Sequence, residues 1–202
     1  MNIYRRAAIT AALFALLSCT DEPHQGSTAV SEISAKVDAL DEKIKSAIVG
    51  YDWKLTLDHH RMAQKENSYT PPSIATIFSD PDVNSRILQN NSQLIALDLP
   101  FKFLAYAEPG GNDAILAYTS AEFIASRHDL PASLLVEYSE RLDSVLNLVE
   151  NSTISEVETE QIGKDFAIVK IKSDFDFETT IERLKETIDS LPDTIWFGEL
   201  DY

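Results

Sequence analysis

Apolar residues return at intervals of four, three, four and four from Ile33 through Val37, Leu40 and Ile44 to Ile48, with Asp38, Asp41, Glu42, Lys43 and Lys45 between them. That period predicts an amphipathic helix from Ser31, closed by Gly50. Tyr51, Trp53, Leu55 and Leu57 then alternate with Asp52, Lys54, Thr56 and Asp58, the period of a strand with one buried face. A loop through His59, His60 and a polar stretch to Pro72 precedes a second strand at Ile74 to Phe78. Asp80-Pro81 opens a short helix through Val83, Ile87 and Leu88, with Pro81 at its first position. Phe101 to Tyr106 and Ala114 to Tyr118 flank Glu-Pro-Gly-Gly-Asn-Asp, which predicts a hairpin. Two helices follow. One runs near Ala121 to His128 behind Ser120 as N-cap; the other starts at Pro131 and carries Leu134, Leu135, Tyr138, Leu142, Val145, Leu146 and Val149 on its apolar side. Residues 151–163 are acidic and aperiodic and read as a linker.

The last forty residues restart the pattern. A strand is expected at Phe166 to Lys172. Beyond it, Phe177, Ile181, Leu184 and Ile188 repeat the spacing of Ile33, Val37, Leu40 and Ile44, and Trp196, Leu200 and Asp201 repeat Trp53, Leu57 and Asp58. This predicts a partial internal duplication, strand–helix–strand, over 164–202. So short a unit cannot bury enough surface to stand alone. It is expected to pack on the first copy, with the strand at 166–172 supplying the one missing before residue 31; pairing with another chain, or continuation in residues this sequence lacks, are the alternatives.

The chain has 202 residues, 33 acids against 17 bases and a formal charge of −16. That balance repels phosphate backbones and removes nucleic acid as a partner. A single Cys excludes an internal disulfide and any multi-cysteine metal site. No Gly-x-Ser-x-Gly elbow and no phosphate-cradling glycine loop occurs, so no cofactor is expected.

The position of that Cys matters more than its number. Arg5 and Arg6, an apolar run from Ala7 to Leu17, and then Ser18 and Cys19 form a signal-peptide layout. A membrane-spanning helix needs about 20 apolar residues, so this run is too short to be a permanent span. Leu16-Leu17-Ser18-Cys19 resembles the lipobox of bacterial lipoproteins. The resemblance implies cleavage between Ser18 and Cys19, lipid attachment to Cys19, and, because Thr20 rather than Asp follows, an outer-membrane address facing the periplasm. Each buried methylene contributes about 0.8 kcal/mol, so two or three acyl chains would hold firmly. Residues 1–18 take two bases and no acids with them, leaving a mature charge of −18. Residues 19–30 read as a lipidated tether and 31–150 as the domain.

Ala96-Leu97-Asp98-Leu99-Pro100-Phe101-Lys102, leading into the strand at Phe103, resembles a bacterial family known as domain of unknown function 302. So does its setting: Leu57-Asp58-His59, Pro72-Ser73-Ile74, Phe78-Ser79-Asp80-Pro81, Ala125-Ser126-Arg127-His128-Asp129-Leu130, and Phe175 to Thr180 with Leu184-Lys185 in the second copy. The resemblance implies an α+β fold, helices on one face of a mainly antiparallel sheet, similar to the TATA-binding-protein-like class. It carries no activity.

The candidate chemistry is sparse. Asp58, His59 and His60 place carboxylate beside imidazole, and His128 could join them, which defines a metal-assisted enzyme as one alternative. Adjacent strand residues point to opposite faces, however, and Tyr202 stands where the second copy would need His59. The leading expectation is a membrane-anchored envelope lipoprotein that binds a small apolar ligand between sheet and helices, or another envelope protein. A structural homodimer is the third. The aromatics Tyr51, Trp53, Phe101, Phe103 and Tyr106 are expected in the core.

Overall fold

The computed structural model describes residues 27–89, 93–149, 152–155 and 159–194. Cys19 and its lipobox, and Trp196, Leu200, Asp201 and Tyr202 of the second copy, lie outside these residues. No described helix is long and apolar enough to cross a membrane.

The chain folds as α1 (Ser27–Ala47), β1 (Asp52–Asp58), α2 (His59–Lys65), β2 (Ser73–Ser79), α3 (Pro81–Gln89), β3 (Phe101–Tyr106), β4 (Ile115–Tyr118), α4 (Ala121–His128), α5 (Val136–Leu148), β5 (Thr153–Ser155) and α6 (Phe177–Ser190). Short 3₁₀ turns at Gln93–Leu97 and Ala132–Leu135 precede β3 and α5. Five strands form one sheet in chain order, antiparallel from β1 to β4, with β5 parallel to β4. The architecture is α+β.

The stripe on α1 does what its spacing predicts. Ile33, Val37, Leu40, Ile44 and Ile48 are all buried against β2, β3 and α5. Gly50 follows at φ +101°, a conformation costly for any residue with a Cβ. On the sheet, Ile74, Thr76, Phe78, Phe101, Phe103, Ala105 and Leu116 are buried under the helices. Phe78 and Phe101 stack at 5.2 Å, and Tyr138 of α5 stacks on Phe101 at 4.5 Å. Phe103 and Tyr51 meet Phe78 edge-on. The Tyr138 hydroxyl donates to Thr119 O at 2.9 Å, and burial raises its pKa far above the ordinary phenol value.

Five expectations are revised. The loop after β1 begins with a helix instead, because the Asp58 carboxylate accepts from Arg61 N and caps α2. A bulge between Trp53 and Leu55 breaks the alternation of β1: Tyr51 reaches the aromatic core, Leu55 and Leu57 turn to the opposite face, and Trp53 is 57% exposed. The linker at 151–163 contains β5. Residues 166–172 form no strand; they lie in turns and irregular backbone with Val169 and Ile171 exposed, having no neighbouring strand to pair with. The structure gives α6 no buried residue, so the described part of the second copy does not complete the first.

Phe101→Ala removes the ring between Phe78 and Tyr138 and should cost about 3–5 kcal/mol in urea unfolding. A loss under about 1 kcal/mol would contradict the stack as the centre of the core.

Candidate functional site

The strongest polar constellation lies at the end of the sheet where β3 begins. The 3₁₀ turn ends with Asp98 N and Leu99 N both donating to Ile95 O, and the Leu99–Pro100 peptide is cis. This holds Asp98 inward, with its side chain 7% exposed. Ser120 caps α4 through Phe123 N, so the last turn of that helix presents Arg127 and His128 to the same point. Arg127 donates to one Asp98 oxygen at 2.6 Å and His128 Nε2 to the other at 2.6 Å. An ionised carboxylate only accepts, so Nε2 carries the proton. Lys102 donates to Leu97 O at 2.9 Å and Leu99 O at 3.3 Å, and burial lowers the pKa of its amine.

This cluster is a clamp. The His128 side chain is 4% exposed and its Nε2 is held by Asp98, so the pair presents no proton-transfer group to a cleft. Removing the carboxylate would strand a buried guanidinium and imidazole.

A second buried polar chain joins α1 to the sheet. Thr76 Oγ1 donates to Asp41 at 2.9 Å, Lys45 pairs with Asp41 at 2.7 Å, and Thr56 lies 3.3 Å from Thr76. The hydrogen bond from Lys45 to Asp41 raises the lysine's pKa.

The expected metal group does not assemble. Asp58 caps α2 and pairs with Arg61, which also grips Asp38 through two nitrogens at 2.8 and 2.7 Å. His59 is exposed on the first turn of α2. His60 is buried, with Nδ1 2.5 Å from Thr70 O and Nε2 2.9 Å from Gln64, the pattern of a structural Nδ1–H imidazole. His128 belongs to Asp98. Among the described residues no group of three or more His, Cys, Asp or Glu is placed to hold a metal ion.

The aromatic stack lies fully buried between sheet and helices. Open grooves lie on the outside of the helix layer. One of about 830 Å³ runs between α4 and the start of α5, floored by Ala121, Ala125, Leu130 and Leu135 and rimmed by Glu122, Asp129 and Glu140. Another of about 510 Å³ lies between α3 and α5 beside the Arg86–Glu137 ion pair.

The opposite face of the sheet is the larger feature. Registers place Leu55, Ile77 and Lys102 in one row, Leu57, Ala75, Leu104 and Ala117 in the next, and Tyr106 with Ile115 beyond. These side chains are half-buried, and no described helix packs across them. Arg61 draws α2 toward Asp38 on α1, the covered side.

These features define an α+β domain with a clamped corner and an apolar sheet face that no described helix covers. The family described as "Domain of unknown function DUF302" matches residues 27–149, and the chain belongs to it. Among solved structures, an uncharacterized conserved protein DUF302 from Bacillus stearothermophilus is similar at 16% identity with a TM-score of 0.47, covering 58% of this chain and 94% of that one. None of the curated proteins matches.

Sequence reasoning named His128 but not its partner. Asp98 stood in the motif carrying the resemblance, which was the available signal; Asp41 looked like one more polar position on α1.

Asp98→Ala should destabilise the fold by about 3–5 kcal/mol in urea unfolding, and a change below about 1 kcal/mol would refute the clamp. The guanidinium of Arg61 holds Asp38 below the usual carboxylate range. A depressed folded-state pKa contributes stability above the unfolded value near 3.9, lost as pH falls through the folded value. Asp38→Asn should therefore flatten the fall in stability below about pH 4 while costing under about 1 kcal/mol at pH 7 for so exposed a pair.

Proposed function

We propose that this chain is a lipid-anchored protein of the bacterial cell envelope that acts by binding a partner protein through the bare face of its sheet. The observation that carries the reading is the asymmetry of the sheet. One face is covered by α1 and α5 and the other presents leucine, isoleucine and alanine side chains in register with no described cover. Antiparallel sheets that face solvent alternate apolar and polar positions, whereas here the rows Leu55–Ile77 and Leu57–Ala75–Leu104–Ala117 on the face away from α1 are apolar. An apolar face of this kind marks an interaction site.

The envelope address is supported by Arg5, Arg6, the apolar run to Leu17 and Leu16-Leu17-Ser18-Cys19. Cys19 would carry the lipid, with residues 20–30 as tether and the outer membrane as destination. Residues 164–202 are read in the same proposal as the opening of a second copy, supported by the repeated stripe on α6 and the Asp176 cap, whose carboxylate accepts from Thr179 N. The fully buried rings of Phe78, Phe101 and Tyr138 between sheet and helices favour a protein partner over a small ligand there.

A photoreactive amino acid at position 77, compared with one at exposed Lys43 on α1, tests this in membranes from producing cells. The expected result is one heavier adduct, identified by mass spectrometry, from position 77 alone, and release of the protein from the membrane by Cys19→Ser. Equal adducts from both positions, or none from position 77, would sink the interaction reading; Cys19→Ser protein still resisting an alkaline wash would sink the anchor.

A further inference from the structure

We infer that the groove between α4 and the start of α5 is a second docking site, separate from the sheet face, and that it takes a basic amphipathic helix of a partner protein.

The groove holds about 830 Å³ and opens to solvent. Its floor is laid by Ala121 and Ala125, one turn apart on α4, and by Leu130 and Leu135 in the connection to α5. The alanine side chains keep this floor low, so another backbone can come close. Val136 stands at its side, 52% exposed. Val136 and Glu140 also line the groove beside Arg86, where Leu134 is 41% exposed, so the two grooves meet at the start of α5. Exposed apolar side chains gathered along one concavity mark a surface that a partner covers.

Backbone chemistry selects a helix as the occupant. The walls are α4 and α5, whose peptide groups are spent on their own turns, and neither wall is a strand edge. An extended segment laid there would lose water from its peptide groups and gain no ladder. A helix arrives with its peptide groups already paired and offers an apolar stripe to a groove of this kind.

Charge selects the sign. Glu122, Asp129 and Glu140 line the groove, and among the described residues no Lys, Arg or His does. On the neighbouring side of α5 the acids are matched: Arg86 takes Glu137, and Arg141 takes Asp80 at 3.1 Å. Glu122 and Glu140 form no ion pair with a described residue. Asp129 shows what the rim accepts, because the Lys164 ammonium reaches it at 3.3 Å from outside the helix pair. A helix with Lys or Arg beside its apolar stripe would set further cations along the same rim.

The same charge argument disfavours the other occupants. The helix α6 would bring Glu178, Glu182, Glu186 and Asp189 against only Arg183 and Lys185. A second copy carries a formal charge of −16, and an anionic lipid surface is repelled as well.

Two synthetic peptides with one leucine stripe, flanked by lysine in the first and by glutamate in the second, test the inference when titrated into the full chain and followed by amide NMR. The lysine peptide should become helical on binding, shift amides from Ala121 to Glu140, and bind at least about tenfold more tightly than the glutamate peptide. Glu122→Lys combined with Glu140→Lys should weaken the lysine peptide by at least about tenfold and strengthen the glutamate peptide. Glu32→Lys combined with Glu66→Lys makes the same change in net charge at exposed positions outside the groove, and should leave both affinities within about twofold. Val136→Ser should weaken the lysine peptide without changing which peptide is preferred. Equal affinity for the two peptides, an equal loss in both double variants, shifts centred on Ile77 and Leu104, or no binding would each overturn the inference. None of these variants touches the sheet face, so the result is independent of the adduct at position 77.

Discussion

The stack of Phe78, Phe101 and Tyr138 is the contact on which the rest of the domain depends. It joins β2, β3 and α5, which are distant in sequence, and its three rings are fully buried. Offset aromatic pairs add about 0.5–1.5 kcal/mol each beyond the area they bury. The Tyr138 hydroxyl reaches Thr119 O and so fixes the chain just before α4. Once that helix is placed, its last turn delivers Arg127 and His128 to Asp98. The polar corner is thus a consequence of aromatic packing some residues away.

Much of this was legible in the periodicity. The intervals along α1, the apolar runs of β2 and β3, the glycine-rich hairpin and the Ser120 cap all state a local preference that the tertiary structure obeys. The misreadings share one cause, which is that their determinants are not local. Trp53 is expelled because one extra residue in β1 changes the register against β2, and nothing in the alternation of β1 announces it. The helix α2 carries no apolar stripe beyond Met62 and Ala63, so its evidence lies in a cap and in His60 reaching Thr70. The strand β5 has three residues and exists because β4 offers an edge. Phe166 to Lys172 has strand composition but pairs with no strand among the described residues.

The candidate site divides the same way. Asp58, His59 and His60 were conspicuous because they are adjacent, yet adjacency set them on different tasks: a helix cap, an exposed position and a buried structural imidazole. Asp98 and His128 are thirty residues apart, and only the fold makes them a pair. A buried carboxylate held by two cationic or donor groups is costly to desolvate and costly to break. It therefore tolerates one arrangement of the corner and penalises the rest.

The rims of the sheet have a consequence of their own. At the outer strand β1, Asp52 and Lys54 pair at 2.8 Å beside the bulge, and at the far rim β5 is only three residues long. An unguarded edge would template the addition of strands from neighbouring molecules. Here the bulge and the Asp52–Lys54 pair interrupt one border and the described strand at the other has three residues, which shortens the ladder a neighbouring copy could extend.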